Sequence, residues 1–181
     1  MDIITGRLVG LATGIIVGLL ICYIAAKKMN KNGKIKTEYD ERQKEIRGKG
    51  YKCGFWAETI FFAILMILDV AEVKIPAVNT VIYFTGFMFG AIVLFTYCIW
   101  NGAYFGINNN VKSWTIFLSI VGIFNLFIGY MSYRDGELIF DGILGTGFIN
   151  ILCGVMILFA VLVYFIKKLV DAREVLSDEE S

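Results

Sequence analysis

Five long apolar stretches constrain this chain more than any other feature. They cover residues 8–26, 53–71, 78–100, 113–133 and 142–166 of the 181-residue sequence, and most charged residues lie between them. A hydrocarbon core about 30 Å thick needs about 20 residues of apolar helix to cross it, so each stretch has the length of one crossing. The pattern predicts an all-α integral membrane bundle of five transmembrane helices.

The composition supports one membrane domain over residues 1–181. Hydrophobic residues make up 57% of the chain and charged residues 18%, more apolar surface than a soluble domain of this length could bury. One alternative is that the uncharged run 75–111 contains two crossings. Two crossings need about 40 residues before any turn is added, so we predict one span followed by a loop at 106–110.

The distribution of basic residues predicts the orientation. The segment 27–52 carries ten of the seventeen Lys and Arg residues, and such residues accumulate in cytoplasmic loops. We therefore expect 27–52 and the tail 167–181 to be cytoplasmic and the N-terminus to lie outside. Trp56, Trp100 and Trp114 then all fall at the cytoplasmic interface, where indole rings are favoured.

The residue types present argue against an enzyme. The chain has no histidine, which removes the commonest general base and the commonest metal ligand. Its four cysteines form no C-x-x-C pair and lie in or beside apolar stretches, where thiols usually pack as small hydrophobes. We predict no catalytic residue, no metal site, no cofactor and no nucleic-acid partner.

Glu58 is the charged residue that lies well inside a predicted span. Intramembrane carboxylates are costly to bury, so Glu58 is a candidate proton or cation site. The alternative is that its side chain reaches the cytoplasmic interface beside Trp56, or pairs with a lysine of the loop.

Two asparagines are predicted to meet inside the bundle. Asn125 lies eight residues before Tyr133, the outer end of the fourth span, and Asn150 lies eight residues after Gly142, the outer start of the fifth. A short connection at 134–141 favours antiparallel packing of these helices, which places both amides at one depth. We expect a hydrogen bond between Asn125 and Asn150, because an unpaired amide in hydrocarbon is expensive.

Glycine recurs every fourth residue along the first span. These residues form tandem G-x-x-x-G steps, which allow close approach of a second helix in lipid: Gly6, Gly10, Gly14 and Gly18. Two interpretations stay open. The row packs within the chain, with Gly86 and Gly90 of the third span as a plausible groove, or it forms a homo-oligomer.

The segment 27–52 is the candidate recognition element. Its first part, 27–36, is predicted to be basic and flexible, and Asp40 with Gln43 predicts a capping box that opens a helix. With ten basic and four acidic residues the segment has a net charge of +6, which favours contact with anionic headgroups or with a protein. The candidate docking or lipid-contact residues are Asp40, Glu41, Arg42, Arg47, Lys49 and Lys52.

One short motif resembles a known group of proteins. The sequence Asp40-Glu-Arg-Gln, followed by Ile46-Arg-Gly-Lys-Gly-Tyr and an apolar span, is similar to a juxtamembrane motif of small multi-span proteins of Gram-positive bacteria. Those proteins are uncharacterised, so the resemblance implies a bacterial plasma membrane and no particular activity.

Two functions are compatible with these features. The first is an integral membrane interaction or regulatory subunit that uses its basic cytoplasmic loop for lipid or protein contact. The alternative is a small transporter component with a solute or proton site near Glu58. Transport predicts a polar cavity at Glu58, whereas an interaction subunit predicts a filled helix bundle.

Overall fold

A computed structural model describes the backbone of residues 3–179 and the side chains of residues 12–176. The described residues form five helices and one two-stranded hairpin, which confirms the predicted all-α fold. Each helix has a segment long and apolar enough to cross a membrane. The elements are α1 (Ile3–Met29), α2 (Glu41–Val70), α3 (Asn79–Trp100), α4 (Val111–Arg134), β1 (Ile139–Phe140), β2 (Ile143–Leu144) and α5 (Phe148–Glu179).

The connections between helices gather at two opposite ends. The loops 30–40 and 101–110 meet at one end, where Asn30 forms a backbone bridge with Asn109. The connections 71–78 and 135–147 meet at the other, where the Val78 amide donates to the Leu144 carbonyl at 3.0 Å. The helices therefore alternate in direction, as successive membrane crossings would. We call the end where the loops 30–40 and 101–110 meet the cap end.

Helix α2 begins well before its apolar part. The Gln43 amide donates to the Asp40 carboxylate at 2.7 Å, and the Gln43 side-chain carbonyl accepts from the Asp40 amide at 3.4 Å. This is the predicted capping box, and it is confirmed. The helix then continues without a break, so its basic first half is rigidly joined to the apolar second half.

Helix α5 starts later than predicted, at Phe148 instead of residue 142. Residues 142–147 belong to the hairpin and its exit, with Asp141 at φ 48° and Gly142 at φ 76°. Left-handed conformations at both central positions are what a two-residue hairpin turn of type I′ requires, and Asp-Gly is a favoured pair for it. Hydropathy overlooked the turn because its neighbours are apolar.

Glycines let the helices of two pairs approach closely. A Cβ atom added to Gly54 of α2 would lie 2.8 Å from the Gly90 carbonyl oxygen of α3. In the pair α4 and α5, a Cβ on Gly122 would meet Leu158, and one on Gly154 would meet Leu126. Helix α5 also packs on α3, so the four helices form one continuous bundle. Its buried cluster lies towards the cap end, around Ile99, Ala160 and Val163.

Helix α1 stands apart from this bundle. Nothing lies within 4 Å of a Cβ built on Gly14 or Gly18, and most described side chains of the helix are exposed. Packing of these two glycines within the chain is therefore wrong, because α2 already fills the groove at Gly86 and Gly90. Gly6 and Gly10 lie outside the described side chains, and homo-oligomer formation through α1 stays a prediction.

Candidate functional site

The loops at the cap end fold together into one unit, which we call the cap (residues 30–52 and 101–110). The Lys31 amide donates to the Asn108 carbonyl at 2.8 Å, and the Ile107 amide donates to the Glu38 carbonyl at 2.9 Å. Each of these bonds joins the α1–α2 loop to the α3–α4 loop. The predicted loop at 106–110 is confirmed. Residues 30–36 are tied to this loop by hydrogen bonds, and the flexibility expected of 27–36 stays a prediction.

A buried pair of asparagines locks the two loops. The Asn109 side-chain amide donates to the Asn30 side-chain carbonyl at 2.5 Å, and both residues are about 95% buried, at 5% and 4% exposure. Asn30 also donates to the Lys34 carbonyl at 2.8 Å, and Asn109 accepts from the Gly106 amide at 2.7 Å. Sequence reasoning missed both residues.

Asn108 bridges the same loops in a second way. Its side-chain carbonyl accepts from the Glu38 amide at 2.8 Å, and its side-chain amide donates to the Lys36 carbonyl at 3.0 Å and to Asn32 at 3.3 Å. The run of three asparagines at 108–110 was the available signal. It was interpreted only as a turn, because Asn is common in turns whether or not its side chain bridges distant segments.

Gln43 and Arg42, in the motif singled out in the sequence, hold the second loop. The Gln43 side chain donates to the carbonyls of Gly102 and Phe105, both at 3.1 Å. Arg42 donates to the Asn101 carbonyl at 3.5 Å. The Asp-Glu-Arg-Gln motif therefore caps α2 and positions the α3–α4 loop against it.

Beside the cap lies a cavity of about 200 Å³ with one charged residue in its wall. That residue is Arg47, whose guanidinium lies 4.2 Å from the centre of the Tyr39 ring. Arg47 also donates to the Ala103 carbonyl at 3.3 Å and to the Tyr51 hydroxyl at 3.2 Å. The lining residues are Thr37, Tyr39, Arg47, Tyr51, Leu94, Phe95, Cys98, Tyr104, Phe105, Asn109 and Trp114.

Two tyrosines of this wall are held in the neutral form. Burial raises the pKa of Tyr39, an effect that the nearby charge of Arg47 partly opposes. Burial likewise raises the pKa of Tyr104. Both phenols therefore keep their protons at neutral pH and can only donate or share neutral hydrogen bonds.

Trp114 carries an unused donor at the same cavity. Its indole nitrogen is buried and has no hydrogen-bond partner among the described residues. An unsatisfied buried donor costs about 1–3 kcal/mol, so such a group is unusual in a native structure.

A second cavity of about 260 Å³ lies nearby, between the α3–α4 loop and α5. Its wall contains both signs of charge, since Lys167 forms an ion pair with Asp171 one helical turn away. Lys167 also lies 5.7 Å from the centre of the Trp100 ring. Lys168 lies in the same wall, and the Asp171 carboxylate distinguishes this wall from that at Arg47, which has none.

The other predicted contact residues lie on the outer surface of the cap. Glu41 pairs with Lys44 at 2.6 Å, and Lys49 pairs with Glu45 at 2.7 Å, both exposed. Lys52 is exposed as well. Nine of the ten basic residues of 27–52 are exposed, and Arg47 is the half-buried exception.

Glu58 lies in the seam between α2 and α3. A Cβ on Gly90 would be 2.9 Å from the Glu58 Cβ and 3.2 Å from one carboxylate oxygen, and Glu58 lines neither of the two cavities. Within the described part of the chain its carboxylate has no hydrogen bond or ion pair.

Replacing Glu58 by glutamine should leave the protein folded and equally or more stable, because the substitution removes an unpaired charge from a half-buried position. Unfolding in detergent, followed by circular dichroism, measures this. Glu45→Gln, in an exposed ion pair on the same helix, is the control. A loss of about 3–5 kcal/mol from Glu58→Gln alone would contradict the expectation and reveal a specific basic partner.

The predicted bond between Asn125 and Asn150 is not formed. The Asn125 side chain donates instead to the Val121 carbonyl of its own helix at 2.9 Å. The contact between α4 and α5 runs over Gly129 and Ile151, and Asn150, next to Ile151 in the chain, is rotated from that contact by about 100°. Equal distance of the two asparagines from the same end of the bundle was not sufficient for a hydrogen bond, because the rotation of each helix decides which side chains meet.

Comparisons with protein-family models, with curated proteins and with solved structures found no match to this chain.

Proposed function

We propose that this chain is a multi-pass protein of the bacterial plasma membrane that acts as an interaction or regulatory subunit through its basic cap. Its N-terminus lies outside, and the cap and the C-terminus are cytoplasmic. The cap contacts the anionic headgroups of the cytoplasmic leaflet, which hold it against the membrane and orient its outer surface.

The observation that carries this proposal is the folded cap with its exposed basic residues. Asparagine side chains fix the loop from within, so the lysines are displayed on an ordered surface. Basic residues near an anionic leaflet contribute about 1 kcal/mol each to adhesion. A net charge of +6 over residues 27–52 is therefore enough for strong contact.

The two ends of the bundle support the orientation. The connections 71–78 and 135–147 contain one basic residue, Lys74, and four acidic residues. Positive charge accumulates on the cytoplasmic side, which favours the cap end there. Exposed Trp56 and Trp100 near the same end fit the headgroup level. The exposed apolar side chains along the helices fit a lipid environment, since soluble proteins rarely expose patches of that extent.

The transporter alternative has less support. A solute or proton site near Glu58 needs a polar passage, whereas Glu58 lies in a close glycine seam with Gly90. The close packing of α2 against α3 around Glu58 favours an interaction subunit.

Lysine footprinting tests the proposed contact. The full chain is placed in nanodiscs of phosphatidylcholine alone or with one third phosphatidylglycerol, and acetylation rates are measured for each lysine by mass spectrometry. We expect slower labelling of Lys27, Lys28 and Lys52 in the anionic discs, reversed by 0.5 M salt because the attraction is screened. Lys74, at the acidic end, is the internal control.

Equal rates in both lipids would contradict lipid contact. Protection that appeared only when a protein co-purified with the chain, and that disappeared when this protein was removed, would also contradict lipid contact. It would assign the cap surface to that protein.

A further inference from the structure

We propose that the cavity beside Arg47 binds the phosphate of a phospholipid headgroup with net negative charge in the cytoplasmic leaflet. This site is distinct from the lysine surface of the cap, because Arg47 is the half-buried basic residue of 27–52. The proposal rests on the proposed function in one respect: the cap must lie at the cytoplasmic headgroup level.

The charge of the wall selects an anion. Arg47 is its only charged residue, no carboxylate lines the cavity, and no ion pair neutralises Arg47 within the described residues. Of the five guanidinium N–H groups, two donate to Ala103 and Tyr51. The remaining donors form a planar fork that matches phosphate oxygens.

Trp114, in the wall of the same cavity, carries a second donor. The Trp114 indole N–H is buried without an acceptor, and a phosphate oxygen reached by a small side-chain adjustment would satisfy it. Trp114 belongs to the first turn of α4, whose N-terminus carries the positive end of the helix dipole. Arg47 and Trp114 therefore favour the same kind of ligand from two different elements.

The volume of the cavity limits the size of the ligand, and its aromatic wall limits the charge that the headgroup can carry. At about 200 Å³ the cavity is smaller than the usual 300–1,000 Å³ of small-molecule sites, so it suits a headgroup fragment. Leu94 and Phe95 offer apolar surface to the adjoining glycerol carbons. A cationic headgroup is disfavoured, because Arg47 already occupies the face of Tyr39.

Trp114 fluorescence provides the test. Replacing the exposed Trp56 and Trp100 with phenylalanine leaves Trp114 as the single reporter in the full chain, purified in a non-ionic detergent. This protein is titrated with inorganic phosphate, with dihexanoyl phosphatidylglycerol and with dihexanoyl phosphatidylcholine. We expect a saturable change with phosphatidylglycerol and at least tenfold weaker binding of phosphatidylcholine.

Two variants separate the site from the general charge of the cap. Arg47→Gln should weaken binding about tenfold or more, because a charged hydrogen bond is lost. Arg42→Gln is the matched control, since Arg42 also donates to a backbone carbonyl of the α3–α4 loop but does not line the cavity. Trp114→Phe keeps the charge and an aromatic ring but removes the indole donor. The fraction of this variant that retains phosphatidylglycerol, measured by native mass spectrometry, should fall severalfold.

The outcomes distinguish the sources of the phosphate. Tighter binding of phosphatidylglycerol than of inorganic phosphate, lost in Arg47→Gln and kept in Arg42→Gln, supports a lipid headgroup. Equal or tighter binding of inorganic phosphate, with the same variant pattern, supports the phosphate site but assigns it to a soluble anion.

Three results would overturn the site: no saturable response to inorganic phosphate or phosphatidylglycerol, binding of zwitterionic phosphatidylcholine as tight as that of phosphatidylglycerol, or equal losses in the two arginine variants. Lysine protection in anionic nanodiscs together with any of these results would leave the proposed function standing and reject only the cavity. Absence of both lysine protection and ligand binding would reject the two proposals together.

Discussion

Replacing Gly54 with valine should destabilise the bundle by about 3 kcal/mol, in the upper part of the range for overpacking a close contact. The new Cβ would lie 2.8 Å from the Gly90 carbonyl oxygen and 3.2 Å from the Leu94 Cβ. A backbone oxygen cannot rotate away as a side-chain tip can, so α2 and α3 would have to separate. The expected result is a lower midpoint of unfolding in an SDS titration followed by circular dichroism.

Gly48 offers a matched control on the same helix. Nothing lies within 4 Å of a Cβ built there, so Gly48→Val should cost little, and the higher helix propensity of valine acts in its favour. Equal destabilisation by the two substitutions would show that the α2–α3 seam is not the cause.

Asn108→Ala should open the cap. The substitution leaves the Glu38 amide and the Lys36 carbonyl without their partners, and each such group costs about 1–3 kcal/mol when it stays buried. A loss of about 2 kcal/mol raises the population of the open loop about 30-fold. Limited trypsin digestion of the purified protein should then cleave after Lys31, Lys34 and Lys36 faster by about that factor.

Asn101→Ala is the control for this experiment. Among the described residues, the Asn101 side chain donates only to the Tyr97 carbonyl at the end of α3, so its loss should not release the α1–α2 loop. Unchanged cleavage in Asn108→Ala, or equal acceleration in both variants, would argue against an asparagine lock.

Local patterns in the sequence predicted the elements well. The apolar stretches located five helices, each of which contains a segment long and apolar enough to cross a membrane. Asp40 and Gln43 located the start of α2, because both partners of a capping box lie within one turn. The same local view failed at 142–147, where an Asp-Gly turn stands between apolar neighbours.

The candidate sites were predicted less well. Arg47 was singled out as a surface contact residue, yet it lies half-buried against Tyr39. Asn125 was predicted to bond to Asn150, but its side chain donates to the Val121 carbonyl. In both cases the residue type indicated a polar interaction, but it did not indicate the partner: Arg47 donates to Ala103, 56 positions away, and Asn125 donates within its own helix.

The sequence by itself determined how many helices form and where most of them begin and end, since hydropathy and capping act over a few consecutive residues. Only the tertiary structure decided which glycines pack, with Gly54 and Gly90 in a seam and Gly14 and Gly18 left open. It also joined Asn30 to Asn109 across 79 positions of sequence. Such contacts depend on the rotation of each helix and the path of each loop, which the packing of the whole bundle sets at once.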